Sequence, residues 1–141
     1  MSRSLRFVLG ALLLGVMFAS SNTASAQKVL DYKVKNSTNQ ADRTAMLNLL
    51  RAAMKKEFEI EFQYVVNKFN VSNGWAWLAC DAQRKDGKKL EIDESYDCCH
   101  VEALFQKVNG KWTIYDHGAF STDVWWEGIG ERSGAPAAIF E

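Results

Sequence analysis

Two Asn-Gly pairs, Asn73-Gly74 and Asn109-Gly110, constrain the second half of this chain more than any other feature. Asn-Gly between alternating apolar segments indicates a two-residue β-hairpin, because both turn positions need a positive φ. Such segments flank each pair, which predicts two hairpins and a sheet of about four antiparallel strands. The predicted strands are residues 58–71, 75–83, 98–108 and 111–117.

The first of these strands changes its apolar phase at Val65-Val66. Apolar side chains occupy even positions up to Tyr64, and after the shift Phe69 and Val71 continue the apolar set. Since side chains alternate strictly between the two faces of a strand, the change of phase predicts a β-bulge or a bend at this point.

Before the hairpins, apolar residues recur at spacings of three and four, which predicts a helix over residues 41–57. Asp42 is expected to cap its first turn, and Lys55-Lys56 suit the negative end of the helix dipole. The apolar stripe consists of Met46, Leu47, Leu49, Leu50, Ala53 and Met54.

Together these elements predict an α+β domain over residues 27–141. One long N-terminal helix packs on a curved antiparallel sheet of about four strands, and residues 27–38 form a polar lead-in. A short C-terminal helix is expected from Asp123 to about Arg132, capped by Ser121 or Thr122.

Residues 1–26 have the three parts of a secretory signal peptide. Arg3 and Arg6 precede an uninterrupted apolar run over residues 7–19, and Ala24-Ser25-Ala26 supplies a small-residue cleavage site. A retained membrane anchor is the alternative, although a spanning helix needs about 20 apolar residues. The sequence therefore predicts export, cleavage after Ala26, and a periplasmic or secreted protein without a membrane span after cleavage.

Cleavage changes the charge balance. The whole chain carries 17 basic and 17 acidic side chains, and loss of Arg3 and Arg6 would give a net charge of about −2. No cluster of Lys or Arg stands out. A nucleic-acid partner is therefore not expected.

The first turn assigns side chains to faces of the sheet. Asn73-Gly74 as a two-residue loop places Ser72 opposite Trp75 and Phe69 opposite Leu78, and opposed residues share a face. Phe69, Val71, Ala76, Leu78 and Cys80 are then expected against the long helix. Trp75 and Trp77 fall on the other face with Lys68 and Asn70, where Trp125-Trp126 are expected to cover them. The alternative is a ligand surface formed by Trp75, Trp77 and Trp126.

The second turn predicts a polar cluster. Asn109-Gly110 as a two-residue loop places Glu102 opposite His117 and Leu104 opposite Tyr115. His100, Glu102, Tyr115 and His117 would then share one face, opposite to the apolar set of Val101, Ala103, Phe105, Trp112 and Ile114. The cluster has three interpretations: a general acid–base pair of Glu102 and His117, a metal site of His100, Glu102 and His117, or the ordinary polar side of a sheet. No nucleophile motif or phosphate-binding loop supports catalysis, and no catalytic residue, metal or cofactor is assigned.

Three cysteines would reach an oxidising compartment after export, where disulfides persist. Cys99 and Cys80 are expected on the apolar faces of neighbouring strands. The preferred disulfide is therefore Cys80–Cys99, and Cys80–Cys98 is the alternative.

Several motifs are spread along almost all of residues 27–141. They are Arg43 with Leu47 and Leu50-Arg51, Gly74-Trp75-Ala76-Trp77, Ala103-Leu104-Phe105, Asn109-Gly110-Lys111-Trp112, Thr122-Asp123 with Trp126, and Gly134-Ala135-Pro136 with Ile139-Phe140. Together these motifs resemble a family of small exported bacterial proteins of uncharacterised function. The layout is also similar to NTF2-like and cystatin-like folds, in which a helix lies across a curved sheet. The resemblance implies a bacterial periplasmic or secreted location and transfers no catalytic residue.

The functional expectation is a non-enzymatic binding or interaction module that uses the concave face of its sheet. Its partner would be a protein, an envelope component or a small ligand. The alternative is a small periplasmic enzyme or metal-binding protein centred on the cluster of His117, Glu102, His100 and Tyr115.

Overall fold

A computed structural model describes residues 27–141, and it shows an α+β fold with one five-stranded antiparallel sheet. The predicted signal peptide and its cleavage site lie outside the described residues. In chain order, the elements are β1 (Leu30–Asp31), α1 (Gln40–Phe58), β2 (Phe62–Ser72), β3 (Trp75–Arg84), β4 (His100–Val108), β5 (Lys111–Ala119), α2 (Ile129–Ser133) and a 3₁₀ turn (Ala137–Ile139).

The sheet follows chain order, β1-β2-β3-β4-β5. The prediction of four strands after an N-terminal helix was therefore wrong in two respects, because β1 precedes α1 and adds a fifth strand. Leu30 pairs with Val71 and Asp31 with Asn70. A strand of two residues has no alternation to detect, so the polar lead-in concealed it.

The first hairpin confirms the predicted register, with Ser72 opposite Trp75 and Phe69 opposite Leu78. Asn73 has a φ of 49° and Gly74 a φ of 76°, as the predicted turn type requires. The pairing of β2 with β3 shifts between Val66 and Lys68. The bulge predicted from the change of phase is therefore confirmed.

Helix α1 agrees with the predicted residues 41–57 to within one residue, but its cap differs. Asn39 occupies the N-cap position, and Asp42 lies in the first turn. The buried Asn39 amide accepts a hydrogen bond from the Asn36 backbone N–H at 2.9 Å and donates one to the Val34 carbonyl at 2.9 Å. It thus fastens the lead-in to the helix, a tertiary role that a helical pattern does not predict.

The C-terminal helix is shorter than predicted, because α2 has five residues and begins at Ile129. Gly128 precedes it with a φ of 67°, a left-handed conformation that ends any helix continuing from Asp123. The N-cap is therefore Gly128 rather than Ser121 or Thr122.

The two faces of the sheet carry separate apolar clusters. On one face, here called the helix side, α1 packs on residues such as Phe69, Leu78 and Phe105. On the other, here called the cap side, residues 121–141 cover Trp75, Trp77 and Leu104. Residues 121–141 are called the C-terminal cap from here on. The predicted cover of Trp77 by Trp125 and Trp126 is confirmed by ring contacts at 6.3 Å and 6.2 Å between centroids, whereas the ring of Trp75 packs against Tyr115.

The cysteines do not pair as predicted. The sulfur atoms of the sequence neighbours Cys98 and Cys99 are in contact, and Cys80 is a buried thiol outside this pair. The register of β3 with β4 places Val101 opposite Cys80, and the thiol points at the Val101 carbonyl with Sγ 3.5 Å from the oxygen. Burial raises the pKa of Cys80 far above its ordinary value. The structure therefore does not show the predicted Cys80–Cys99 bond, because Cys99 contacts Cys98 instead.

Among residues 27–141, no helix combines the length and apolar character needed to cross a bilayer.

Candidate functional site

A second bulge separates the polar residues predicted to cluster. Near the turn, Val108 faces Lys111 and Phe105 faces Ile114, as predicted. The register then shifts between Leu104 and Phe105, so that Ala103 faces His117. His117 therefore lies on the helix side with Ala103, and Glu102 faces Gly118 instead. The expected pairing of Glu102 with His117 was wrong because alternation along β5 continues through the bulge without a visible break.

The separated residues have other partners. His117 Nε2 lies 3.4 Å from Glu57 Oε2 on α1. Tyr115 is exposed and its ring packs edge-on against Trp75, with 5.3 Å between the centroids. The acid–base pair and the metal triad that two of the three interpretations required therefore do not form. Within residues 27–141, no group of three or more His, Cys, Asp or Glu side chains is placed to hold a metal ion.

His100 and Glu102 do come together, on the cap side. His100 Nδ1 is 2.9 Å from Glu102 Oε1, and Nε2 is 2.9 Å from the Ser121 carbonyl oxygen. A carbonyl only accepts hydrogen bonds and an ionised carboxylate only accepts, so both ring nitrogens are placed to donate. The arrangement therefore favours the doubly protonated imidazolium, which has no free nitrogen to act as a base.

The electrostatics of the pair follow from burial and proximity. Burial lowers the pKa of His100, but the hydrogen bond and charge of Glu102 outweigh it, and the pKa is raised overall. Burial also raises the pKa of Glu102, against the opposing effect of His100. The side chain of Glu102 is only 7% exposed, so its charge depends on the His100 imidazolium.

Trp125 completes this contact. Its Nε1–H donates to the second oxygen of Glu102 at 3.4 Å. The indole lies directly over Gly118, where the Cβ of any other residue would overlap the ring. The His100–Glu102 pair thus acts as a clamp that holds the start of the C-terminal cap against β4 and β5.

Two polar side chains of β2 hold the end of the cap. Lys68 Nζ donates to the Phe140 carbonyl at 3.1 Å, and Asn70 Nδ2 donates to the Ile139 carbonyl at 3.1 Å. Fixed at both ends, the cap forms an open cleft of about 660 Å³, here called the aromatic cleft. Its apolar lining consists of Val124, Trp126, Ile129, Ala135, Ala137 and Phe140.

Only one of the three predicted ligand-binding tryptophans lines the aromatic cleft. Trp75 is 9% exposed and Trp77 is 4% exposed, so both belong to the core. Trp126 is partly exposed in the cleft and packs at 6.2 Å from Trp77 and 5.9 Å from Trp125, measured between ring centroids. Phe140, which the sequence did not single out as a ligand contact, lies 5.1 Å from Trp77 and forms another wall.

The polar lining of the cleft is acidic. Glu127 and Glu131 contribute to it, and none of the described lining residues is basic. A second cleft, of about 840 Å³, lies beside the Cys98–Cys99 pair and includes Arg84, Lys88 and Lys89. The two concavities therefore differ in charge, although the net charge of the chain is near zero.

Compared with protein-family models, with curated proteins and with solved structures, the chain matches none.

Proposed function

We propose that this chain is an exported, non-enzymatic binding protein that takes a small apolar ligand into the aromatic cleft. The observation that carries the proposal is the cleft itself, where Trp126 and Phe140 form apolar walls open to solvent. The proposed binding surface is thus the C-terminal cap, in place of the concave sheet face that the sequence led us to expect.

The dimensions and lining support this function. Ligand sites in proteins are concave, mostly apolar and typically about 300–1,000 Å³ in volume, and the aromatic cleft is within that range. Ile129 and Ala135 are buried at its base, so its shape is backed by the core. Rigid aromatic walls lose little conformational entropy when a ligand binds, because few side-chain torsions become fixed.

The export and family parts of the proposal rest on the sequence. The signal-peptide pattern of residues 1–26 and the resemblance to small exported bacterial proteins favour a periplasmic or secreted location. The packing of α1 on one face of the sheet is consistent with an NTF2-like or cystatin-like architecture. In this proposal the fold serves as a scaffold for the cleft. The cleft defines the function, because one fold can carry many different functions.

The contacts favour binding over catalysis or metal binding. An acid–base centre of Glu102 and His117 needs both side chains on one face, and they lie on opposite faces of the sheet. The remaining pair, His100 and Glu102, uses both ring nitrogens to hold the cap. This pair therefore positions the wall of the cleft in the proposed function.

A neutral fluorescent probe, N-phenylnaphthylamine, tests the proposal. We expect it to bind with increased emission, and we expect Ala137→Trp, which fills the cleft, to weaken that binding about tenfold or more. Ala137 is exposed, so the larger side chain leaves the core intact. Ala41→Trp on the exposed surface of α1 is the matched control and keeps wild-type affinity. Equal binding to both variants, or no binding to the wild type, would contradict the proposed site.

A further inference from the structure

We infer that the ligand of the aromatic cleft is a small organic cation, with an apolar body and an amine or quaternary ammonium group. This inference rests on the proposed function and specifies the chemical class of the ligand. Its basis is that aromatic rings and unpaired carboxylates line the same cavity.

The carboxylates are free to meet a ligand. Glu127 and Glu131 are both exposed, and neither forms an ion pair with a side chain of residues 27–141. The nearby Arg132 does not neutralise them through direct pairing, because its guanidinium donates to the backbone carbonyl of Glu127. An ammonium group at the mouth of the cleft would therefore find two carboxylates without competing partners.

The rings favour the same charge. Trp126 and Phe140 line the cleft, and the face of an aromatic ring attracts a cation within about 6 Å of its centroid, most strongly for tryptophan. The one cationic ring beside Trp126 is His100, at 6.3 Å between centroids. Its charge faces Glu102 and Asp97 instead, at 2.9 Å and 3.8 Å. The clamp therefore offsets the charge of this imidazolium. The Arg132 guanidinium, held on the Glu127 carbonyl, is another cation beside the cleft, and the carboxylates of Glu127 and Glu131 in the lining outnumber it.

The second cleft, beside Cys98 and Cys99, differs from the aromatic cleft in the charge of its lining. Arg84 in its lining is paired with Asp86, but Lys88 and Lys89 still outnumber Asp81, the acidic residue of the lining. A cation would meet repulsion there, whereas the aromatic cleft contains only acidic charges. The two cavities thus separate ligands by sign of charge, and the cation belongs in the aromatic cleft.

The test uses two probes of the same shape, trimethylphenylammonium and tert-butylbenzene, which differ in having a quaternary nitrogen or a carbon at the branch. We expect the cation to bind about fivefold more tightly at low ionic strength, and the preference to shrink with added salt. Binding is measured by the shift of the Trp126 indole resonance during titration of the full exported chain.

Charge variants test whether Glu127 and Glu131 cause the preference for the cationic probe. The double variant Glu127→Gln and Glu131→Gln should lose most of the preference for the cation and keep its affinity for tert-butylbenzene. Glu94→Gln, an exposed glutamate outside the cleft lining, is the matched control and keeps the preference. A preference that survives the double variant overturns the assignment to these carboxylates.

The outcomes separate this inference from the proposed function. Equal affinity for both probes, or tighter binding of the neutral one, overturns the inference and leaves apolar binding intact. Binding of neither probe overturns both.

Discussion

The two sides of the sheet are closed by very different means. On the helix side, the 19-residue helix α1 buries its apolar stripe against Phe69, Leu78 and Phe105. On the cap side, a five-residue helix and irregular turns cover Trp75, Trp77 and Leu104. A regular helix fills its interface, whereas the cap buries a smaller apolar cluster, is fastened by a few polar contacts and leaves a cleft. We therefore assign stability to the helix side and binding to the cap side.

The largest loss of unfolding free energy is expected from a variant that disrupts the packing on the helix side. Phe69 is fully buried between α1 and the sheet. Phe69→Ala should lower the free energy of unfolding by about 3–5 kcal/mol, because it removes apolar burial and leaves a cavity. Chemical denaturation with circular dichroism measures the loss.

The control for this variant is Val65→Ala on the same strand, at a side chain that is 47% exposed. It should cost about 0.5 kcal/mol or less. Similar losses for the two variants would contradict the claim that the helix side carries the stability.

A smaller effect is expected where the cap meets the sheet. In Gly118→Ala the new methyl group overlaps the Trp125 indole, which is rigid and must move. We expect a loss of about 1–3 kcal/mol in unfolding free energy and a displaced Trp125 indole resonance. In a Trp125→Ala background the same change should cost little, since the overlapping ring is gone. Additive losses in the two backgrounds would exclude this contact as the cause.

The smallest effect on stability is expected from the His100–Glu102 clamp, whose contribution to the unfolding free energy depends on pH. The folded pKa of His100 is raised, so the folded chain binds more protons than the unfolded one above the ordinary pKa of about 6.5. The contribution of His100 is therefore complete below that value and is lost as the pH rises through the folded pKa.

Glu102→Gln removes the carboxylate that favours the imidazolium, and it should lower the pKa of His100 and flatten this pH dependence. Asp97 and Asp81 also lie near His100, and Asp97→Asn is the control with the smaller effect because its carboxylate is farther, at 3.8 Å. Two-dimensional NMR of the imidazole resonances from pH 5 to 9 measures both. An unchanged His100 pKa in Glu102→Gln would mean that the clamp does not exist in solution.

Most of the helix side was predictable from the sequence, because periodicity and turn chemistry are local. The two Asn-Gly turns, the bulge near Val66 and the stripe around Leu50 each leave a pattern in the residues themselves. The predicted apolar face of the second hairpin, including Val101 and Phe105, is likewise confirmed.

The cap side was predictable only in part. The adjacent tryptophans Trp125 and Trp126 indicated a cover for the sheet, and the structure confirms it. The bulge opposite Leu104 left no break in alternation, so His117 was assigned to the wrong face. The lining of the cleft by Glu127, Glu131 and Phe140 depends on the path of irregular turns, which no periodicity encodes.

The central claim is that the C-terminal cap holds the binding site. It is tested most directly by two-dimensional ¹H–¹⁵N NMR of the protein titrated with trimethylphenylammonium. Gly128 and Gly130 line the aromatic cleft and Gly87 lines the second cleft, so the backbone amide signals in one spectrum contain both the test and its control. The account predicts saturable shifts of Gly128, Gly130 and the Trp126 indole with Gly87 unmoved. Shifts centred on Gly87, or no saturable shift at Gly128 and Gly130, would contradict it.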